Sequence, residues 1–359
     1  MTAGGPATLK GKTILITGGT GSLGKVLTRW LLARPDDRPG KIRIFSRDEA
    51  KQHFMRLEYL HKTKATDEVI YHDFERLVEF RIGDVRDYHA VCSAMDGADI
   101  VVNAAALKQV PSCEYFPFEA VQTNVVGAEN IVRAVRDGRV EVGTVVGVST
   151  DKACKAVNVM GMTKALQERI FVGANLTVPA TRFICVRYGN VLASRGSVIP
   201  LFHEQIRNGG PVTITTDGMT RFLLSLGTAV ELIAAAIARA RAGETYVPKI
   251  PAARIVDVAN ALIGRRTIEI VRTGIRPGEK IHEILVSEEE AARTVDLGDY
   301  YAIQPIQPEL QAESVSGPRL EKEYSSADSL MTPDEIRTLL ERHSLMPEQG
   351  AREEGEFLR

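Results

Sequence analysis

An adjacent carboxyl and amine, Asp151-Lys152, form the pair of residues in this chain best suited to proton chemistry. They follow Ser149-Thr150 at the end of a β-branched run, where a parallel strand would bring them to the edge of a sheet. A carboxyl and an amine in contact share protons as a coupled pair, so neither has a pKa of its own. The alternative is an ion pair on a surface loop. The position at a strand end favours a general acid and a general base.

Glycines recur at every third position from Gly18 through Gly21 to Gly24, between a predicted strand and a predicted helix. This spacing lets the backbone turn tightly and approach a pyrophosphate held at the helix N-terminus. A plain structural turn is the alternative. We predict a dinucleotide-binding loop, whose contacts are Gly18, Thr20, Gly21, Ser22, Leu23 and Gly24.

The second predicted strand ends at a basic residue, Arg47, and Lys51 follows one helical turn later. An arginine here suits the 2′-phosphate of NADP, whereas a leading acidic residue would favour NAD. NADP is therefore the predicted cofactor. The alternative is that Arg47 is a solvated charge and Asp48 only a helix cap.

The remaining predicted cofactor contacts are Asp84, Val85, Ala104, Ala105, Ala106, Lys164, Tyr188 and Asn190.

Lys164 lies on a predicted helix, four residues after Met160, so both face the same side of that helix. Met160 itself cannot exchange a proton. A solvated helix lysine is the alternative for Lys164. It is disfavoured because Ser149 ends the preceding strand where the nicotinamide is expected.

Short β-branched runs alternate with helical patterns over the first half of the chain. This predicts an α/β fold with a doubly wound parallel sheet of the Rossmann type. The predicted strands are Thr13–Thr17, Lys41–Phe45, Val78–Ile82, Asp99–Asn103, Gly143–Val148 and Phe183–Arg187. The predicted helices are Ser22–Ala33, Glu49–Lys62, Tyr88–Met95, Pro117–Arg136 and Val159–Ala174.

The second half is more irregular and predicts a smaller, mixed α/β substrate lobe. We expect an NADP-binding domain over residues 8–189, with 222–247 packing back onto it. The substrate lobe is expected from 190–221 and 248–310, followed by a C-terminal extension, 311–359, with a frayed end.

Composition excludes several classes of function. A net charge of -1 argues against general attraction to nucleic acid or acidic membranes. The four cysteines are scattered, and no His or carboxylate spacing indicates a metal site. The N-terminal residues lack the basic and apolar regions of a signal peptide, so we expect a cytoplasmic protein.

Ten further segments carry a family resemblance. They are Ser46–Glu49, Gly83–Asp87, Ala104–Glu114, Thr123–Val125, Ser149–Ala153, Arg187–Val191, Ser194–Pro200, Met219–Phe222, Arg276–Lys280 and Gly298–Tyr301. Together they make the chain similar to extended short-chain dehydrogenase/reductases, which normally carry Tyr where Met160 stands. More narrowly, it resembles inverting UDP-N-acetylglucosamine 4,6-dehydratases of polysaccharide biosynthesis. It departs from their pattern at Ala156, where Pro is usual, and at Pro277, where His is usual.

The resemblance implies a redox-neutral reaction on UDP-N-acetylglucosamine. Oxidation at C4 by NADP acidifies the C5 proton, water leaves from C5 and C6, and hydride returns to C6. Lys152 is then the base at C5 and Asp151 the acid at C6, while Thr150 hydrogen-bonds the 4-oxygen and Lys164 holds the nicotinamide ribose. A basic Lys152 must be neutral, which requires burial and nearby positive charge; we expect this charge from Lys164, Lys108 and the cofactor.

The same resemblance implies which residues bind the nucleotide sugar. Arg221 and Arg276 would clamp the diphosphate, since guanidinium forks match phosphate oxygens. Val198 and Ile199 would line the binding site of the uracil. The full set of predicted substrate contacts is Lys108, Asn190, Val198, Ile199, Thr213, Met219, Arg221, Arg276 and Glu279.

Two other functions remain open at this point. A UDP-sugar 4-epimerase needs hydride transfer and a proton acceptor at the 4-hydroxyl, but has no use for Lys152. A non-catalytic NADP-binding scaffold or sensor would explain the missing Tyr, but not the Asp151-Lys152 pair. The resemblance also implies a homo-oligomer, a hexamer in the relatives.

Overall fold

The chain forms a large central sheet with a second, smaller lobe at one of its ends. This is a computed structural model, which describes residues 8–60, 76–192, 197–311 and 317–347. The strands in those ranges are β1 Thr13–Thr17, β2 Lys41–Ser46, β3 Val78–Ile82, β4 Ile100–Asn103, β5 Thr144–Thr150, β6 Arg182–Tyr188, β7 Asn190–Val191, β8 Val212–Ile214, β9 Thr220–Leu224, β10 Thr245–Pro248, β11 Ala252–Arg254, β12 Ile270–Arg272, β13 Ile284–Val286, β14 Thr294–Asp296, β15 Tyr300–Ile303 and β16 Tyr324–Ser325.

The central sheet has nine strands in the order β14-β15-β10-β6-β5-β4-β1-β2-β3. The strands from β3 across to β10 are parallel, while β15 and β14 add an antiparallel edge. Strand order reverses between β1 and β4, and ligands of such sheets bind beyond the strand ends at this point. The predicted doubly wound α/β fold is confirmed.

Helices cover both faces of the sheet, because its strands carry apolar side chains on both sides. On β1, Ile14 and Ile16 pack in one core and Leu15 in the other, following the two-residue period of a strand. The helices in the described ranges are Ser22–Leu32, Glu49–Leu60, Tyr88–Met95, Val110–Tyr115, Pro117–Ala120, Gly127–Arg136, Val159–Thr177, Val198–Arg207, Leu226–Arg239, Ile255–Ile263, Glu288–Ala291 and Pro333–Arg342. None of these is long and apolar enough to cross a membrane.

Two local features differ from the prediction. A π-helical turn, Val121–Val126, separates Pro117–Ala120 from Gly127–Arg136, where one continuous helix was expected. β5 extends to Thr150, and Asp151–Ala153 form a 3₁₀ turn directly after it. The predicted end of the second helix, at Lys62, lies outside the described residues.

The domain boundaries also differ from the prediction. As expected, the helix Leu226–Arg239 packs against Ser22–Leu32 and β10 joins the central sheet. However, β14 and β15, placed by sequence in the substrate lobe, form the edge of that sheet. They turn around Gly298, which has a φ of 87°, and Ala302 and Ile303 join the main core. The smaller lobe holds three short sheets, β11-β9-β7, β12-β8 and β13-β16.

Part of the predicted C-terminal extension is folded into the smaller lobe. The helix Pro333–Arg342 begins with a capping box at Thr332 and Glu335, and its Ile336 and Leu340 are fully buried against Ile255–Ile263. The frayed end predicted beyond residue 350 lies outside the described residues.

Shortening Leu340 to alanine is therefore expected to destabilise the chain by about 2–5 kcal/mol, as for other buried leucines. Urea unfolding followed by circular dichroism measures this. The neighbouring Leu339, only partly buried, is the control, and Leu339→Ala is expected to cost clearly less. Equal losses would mean that the helix does not dock as described.

Candidate active site

A cleft of about 1960 Å³ lies beyond the carboxyl ends of β1, β4, β5 and β6 and extends into the smaller lobe. Most residues predicted from sequence line it. They are Gly18, Gly21, Ser22, Leu23, Gly24, Ala104, Ala105, Ala106, Lys108, Thr150, Lys152, Lys164, Tyr188, Asn190, Val198, Thr213, Met219, Arg221, Arg276 and Glu279. Seven predicted residues do not line it: Thr20, Arg47, Lys51, Asp84, Val85, Asp151 and Ile199.

The glycine loop leaves room for a phosphate group. A Cβ on Gly18, which has a φ of 64°, would come within 2.8 Å of the Ala105 backbone, so only glycine fits there. No side chain caps the helix at Gly21, and its first backbone N–H groups remain available to an anion. Among the described residues, Ser149 Oγ and Asn190 Oδ1 are buried without a hydrogen-bond partner. These features fit a bound dinucleotide.

The residues predicted to choose between NAD and NADP lie outside the cleft. The Arg47 side chain is 61% exposed, and its guanidinium is 3.8 Å from Asp84 Oδ2. Lys51 pairs with Asp48 at 2.7 Å. Asp84 accepts hydrogen bonds from the Arg86 guanidinium; although burial opposes its charge, these bonds lower the pKa of Asp84. The Asp84 carboxylate is thus already partnered, and Val85 is buried beneath it.

Lys164 and Met160 lie on one helix and both line the cleft. Lys164 Nζ donates to Gln167 Oε1 at 2.8 Å, and Gln167 Nε2 donates to the Val148 carbonyl. Burial lowers the pKa of Lys164 to about 8. Met160 packs with Cys113 and its neighbours, so the position of the usual Tyr holds no proton-exchanging group.

The proton-transfer groups form a cluster at the end of β5. Lys152 Nζ is 3.0 Å from Asp151 Oδ1 and 3.3 Å from Glu283 Oε1. Thr150 Oγ1 donates to the same Asp151 oxygen at 2.9 Å. Asp151 is fully buried, whereas the Lys152 side chain is 21% exposed and opens on the cleft. The cluster therefore reaches the cleft through Lys152 and Thr150.

The charges around Lys152 differ from the prediction. Positive charge was expected to keep its amine neutral, but two carboxylates, Asp151 and Glu283, contact it instead. Burial alone would lower the pKa of Lys152, and these carboxylates more than offset it, so that the pKa is raised. Burial raises the pKa of Asp151, which agrees with a carboxyl that retains a proton.

A buried ionic network fixes the segment that carries Glu283. Arg187, at the end of β6, contacts Glu168 at 2.6 Å and Glu290 at 2.7 Å, and it donates to the Leu285 carbonyl. Burial opposes the charge of Glu290, but Arg187 lowers its pKa to about 2. The network ties the segment around Glu283 to the central sheet.

All of the predicted substrate residues except Ile199 line the cleft. The Ile199 side chain is 1% exposed and belongs to the core of the smaller lobe, because its side of the helix Val198–Arg207 faces that core. Only Val198 of the two predicted uracil contacts lines the cleft. Arg221 Nη1 donates to the carbonyls of Thr220 and Ile281, so its guanidinium is held in place.

Sequence reasoning missed several cleft residues. Glu283 and Lys280 contribute charge beside Lys152, and Ser344, Leu345 and Pro347 of the C-terminal extension form part of the wall. Glu283 could have been noticed because it lies within the largely apolar run Ile281–Val286. An acidic residue that is buried with such a run usually has a charged partner. The His282 ring, assigned no role from sequence, exchanges a hydrogen bond with Thr220.

The sheet order and the glycine loop define a Rossmann-like α/β fold, the fold that is also found in solved dehydratase and epimerase structures. The family model described as polysaccharide biosynthesis protein matches residues 14–305, and the chain belongs to that family.

Known proteins with similar sequence or structure support this assignment. The chain is 46% identical over 299 residues to the UDP-glucose 4-epimerase of Rickettsia typhi, covering 81% of this chain and 82% of that protein. Pen from Bacillus thuringiensis is 33% identical with a TM-score of 0.82, covering 94% and 99% of the two chains. The dTDP-glucose 4,6-dehydratase DesIV from Streptomyces venezuelae, solved with NAD, has a TM-score of 0.62 at 22% identity, covering 75% and 86%. This last likeness concerns the fold.

Proposed function

We propose that the protein is an NADP-dependent UDP-N-acetylglucosamine 4,6-dehydratase that inverts C5. The observation that carries this proposal is the cluster of Asp151, Lys152 and Glu283, which opens on the cleft beside a helix where Met160 replaces the usual Tyr. Hydride transfer alone needs no such cluster. Elimination of water needs a base and an acid, and the cluster supplies both types of group.

The dinucleotide would supply the hydride chemistry, accepting hydride from C4 of the sugar and returning it to C6. The chain's own residues handle the protons. The ammonium proton of Lys152 passes to the Asp151 carboxylate that it contacts, and the neutral amine then takes the proton from C5. Asp151 donates its proton to the C6 hydroxyl, which leaves as water. Because Asp151 is fully buried, the proton reaches the sugar through Lys152 Nζ or Thr150 Oγ1.

A UDP-sugar 4-epimerase is the second candidate, and the names of the curated relatives favour it over the dehydratase. It requires that the 4-hydroxyl proton be taken up without a Tyr at position 160. The Asp151-Lys152 pair would then serve that single proton, and C5 would keep its own hydrogen.

Proton NMR of the products in ordinary water separates the candidates. Purified protein is incubated with NADP and either UDP-N-acetylglucosamine or UDP-glucose. A dehydratase produces a C6 methyl doublet from the amino sugar. Inversion at C4 with no methyl signal supports the epimerase and contradicts the proposal, and no turnover of either sugar supports a binding role without catalysis.

Cofactor choice is predicted to depend on Arg47. Arg47→Ala should weaken binding of NADP much more than binding of NAD, because only NADP carries the 2′-phosphate. Titration of the protein's fluorescence with each cofactor measures both dissociation constants. Arg81→Ala, which removes a similarly exposed arginine on β3, is the control. Equal weakening of NAD and NADP by Arg47→Ala would remove the basis for NADP preference.

A further inference from the structure

Glu283 is a buried carboxylate that has no role in the reaction steps proposed above. Its side chain is 3% exposed and lies between three cationic groups. Its Oε1 is 3.3 Å from Lys152 and 3.8 Å from Arg221, and its Oε2 is 3.9 Å from Lys280. A buried carboxylate is costly unless paired, so these contacts stabilise its charged form.

The charged groups around Lys152 come from three separate parts of the chain. Asp151 and Glu283 are negative, while Arg221 and Lys280 are positive. Asp151 alone is a weak counter-ion because its burial favours the neutral form. Glu283 stays ionised more readily, since Lys152, Arg221 and Lys280 outweigh its burial and lower its pKa. Glu283 thus adds a second carboxylate beside Lys152, 3.3 Å from its Nζ.

The C-terminal extension holds Glu283 in this position. The Glu283 backbone N–H donates to Ser326 Oγ at 2.9 Å, and the Ser326 N–H donates to the Glu283 carbonyl at 2.8 Å. β16, immediately before Ser326, pairs with β13, immediately after Glu283. Ser326 and β16 lie beyond residues 14–305, the part of the chain that matches the family model, whereas Glu283 and β13 lie within it.

We propose that Glu283 is a positioning residue for Lys152, whose carboxylate holds the amine at the cleft and stabilises its protonated form. The inference deepens the proposed function, because it assigns the group that controls the residue acting at C5. Neutralising Glu283 removes a negative charge at 3.3 Å, which makes the neutral amine of Lys152 more abundant at a given pH.

Competitive labelling of lysines tests this without any turnover. The full chain is treated with trace acetic anhydride over a pH series, and acetylation of the Lys152 peptide is measured by mass spectrometry. In Glu283→Gln, labelling of Lys152 at pH 9 is expected to rise several-fold over wild type, and its midpoint to move to lower pH. Glu288→Gln removes an exposed carboxylate that pairs with Lys155 and should leave Lys152 labelling unchanged.

Unchanged Lys152 labelling in a folded Glu283→Gln variant overturns the inference. If that variant does not fold by circular dichroism, Ser326→Ala replaces it, because it releases the Glu283 backbone; labelling of Lys152 must then rise, and constant labelling is the contrary result. The inference and the proposed function fail separately. Increased labelling in a protein that forms no C6 methyl product supports the role of Glu283 and rejects the dehydratase.

Discussion

Lys152→Met is expected to lower the rate of deuterium entry at C5 of the sugar by about 10²–10⁴-fold, the range for loss of a general base. Methionine has similar length and fills similar space, but has no amine to take a proton. The reaction is run in heavy water with UDP-N-acetylglucosamine, and deuterium at C5 is measured by NMR. Cofactor binding should be unaffected, since Lys164 and the glycine loop remain.

Lys155→Met is the matched control for this prediction. Lys155 lies three residues further along and pairs with Glu323 at the surface, so its loss should leave C5 exchange near the wild-type rate. Undiminished exchange in Lys152→Met would assign the C5 proton to another group. Equal losses in both variants would point to damage of the local fold.

Arg187→Met is expected to destabilise the protein by about 3–5 kcal/mol at neutral pH, because it leaves Glu168 and Glu290 buried without their shared cation. Denaturant unfolding measures the loss. Arg254→Met removes a half-exposed arginine paired with Asp257 and is expected to cost less than about 1 kcal/mol. If Arg187→Met lowered the free energy of unfolding as little as the control does, the result would contradict a fully buried ionic network.

The Arg187 effect has a defined pH dependence. The pKa of Glu290 is about 2 in the folded state, below its ordinary value of 4.5, so the pairing stabilises the fold above pH 4.5 and is lost as pH falls toward 2. The difference between wild type and Arg187→Met should therefore shrink on acidification below pH 4.5. Adding Glu168→Gln and Glu290→Gln should recover part of the stability at neutral pH, since neither buried carboxylate charge then remains.

Local patterns in the sequence were sufficient to predict the central sheet. β1, β2, β4, β5 and β6 are short apolar runs with buried residues, β3 is at most partly buried, and the glycine loop follows β1 as its spacing indicates. The edge pair β14 and β15 was missed because each strand is short and its pairing depends on contact with β10, far away in sequence. Long-range pairings of this kind leave little local signal.

The sequence located the residues near the end of β5 better than it predicted the charges around them. Asp151, Lys152 and Lys164 were found from their spacing, and the structure brings them to the edge of the sheet. The partner of Lys152 was not found, because Glu283 is 131 residues away in the sequence and approaches only through the smaller lobe. Ile199 was assigned to the cleft from its neighbour Val198, although adjacent helical residues point in different directions.

The absence of Tyr at Met160 has different consequences for the two candidate functions. An epimerase must find another acceptor for the 4-hydroxyl proton, and a dehydratase needs the same acceptor plus a base for C5. Lys152 and Asp151 together could meet both needs of the dehydratase only by passing protons within their coupled cluster. Exchange at C5 with solvent is consequently the property that distinguishes the proposed reaction from hydride transfer alone.

Deuterium at C5 of the product formed by the wild-type chain in heavy water is the most direct measure of this chemistry. The account predicts a 6-deoxy-4-keto sugar with one deuterium at C5, formed without net consumption of NADP. A product that retains its original hydrogen at C5, with or without inversion at C4, would contradict it.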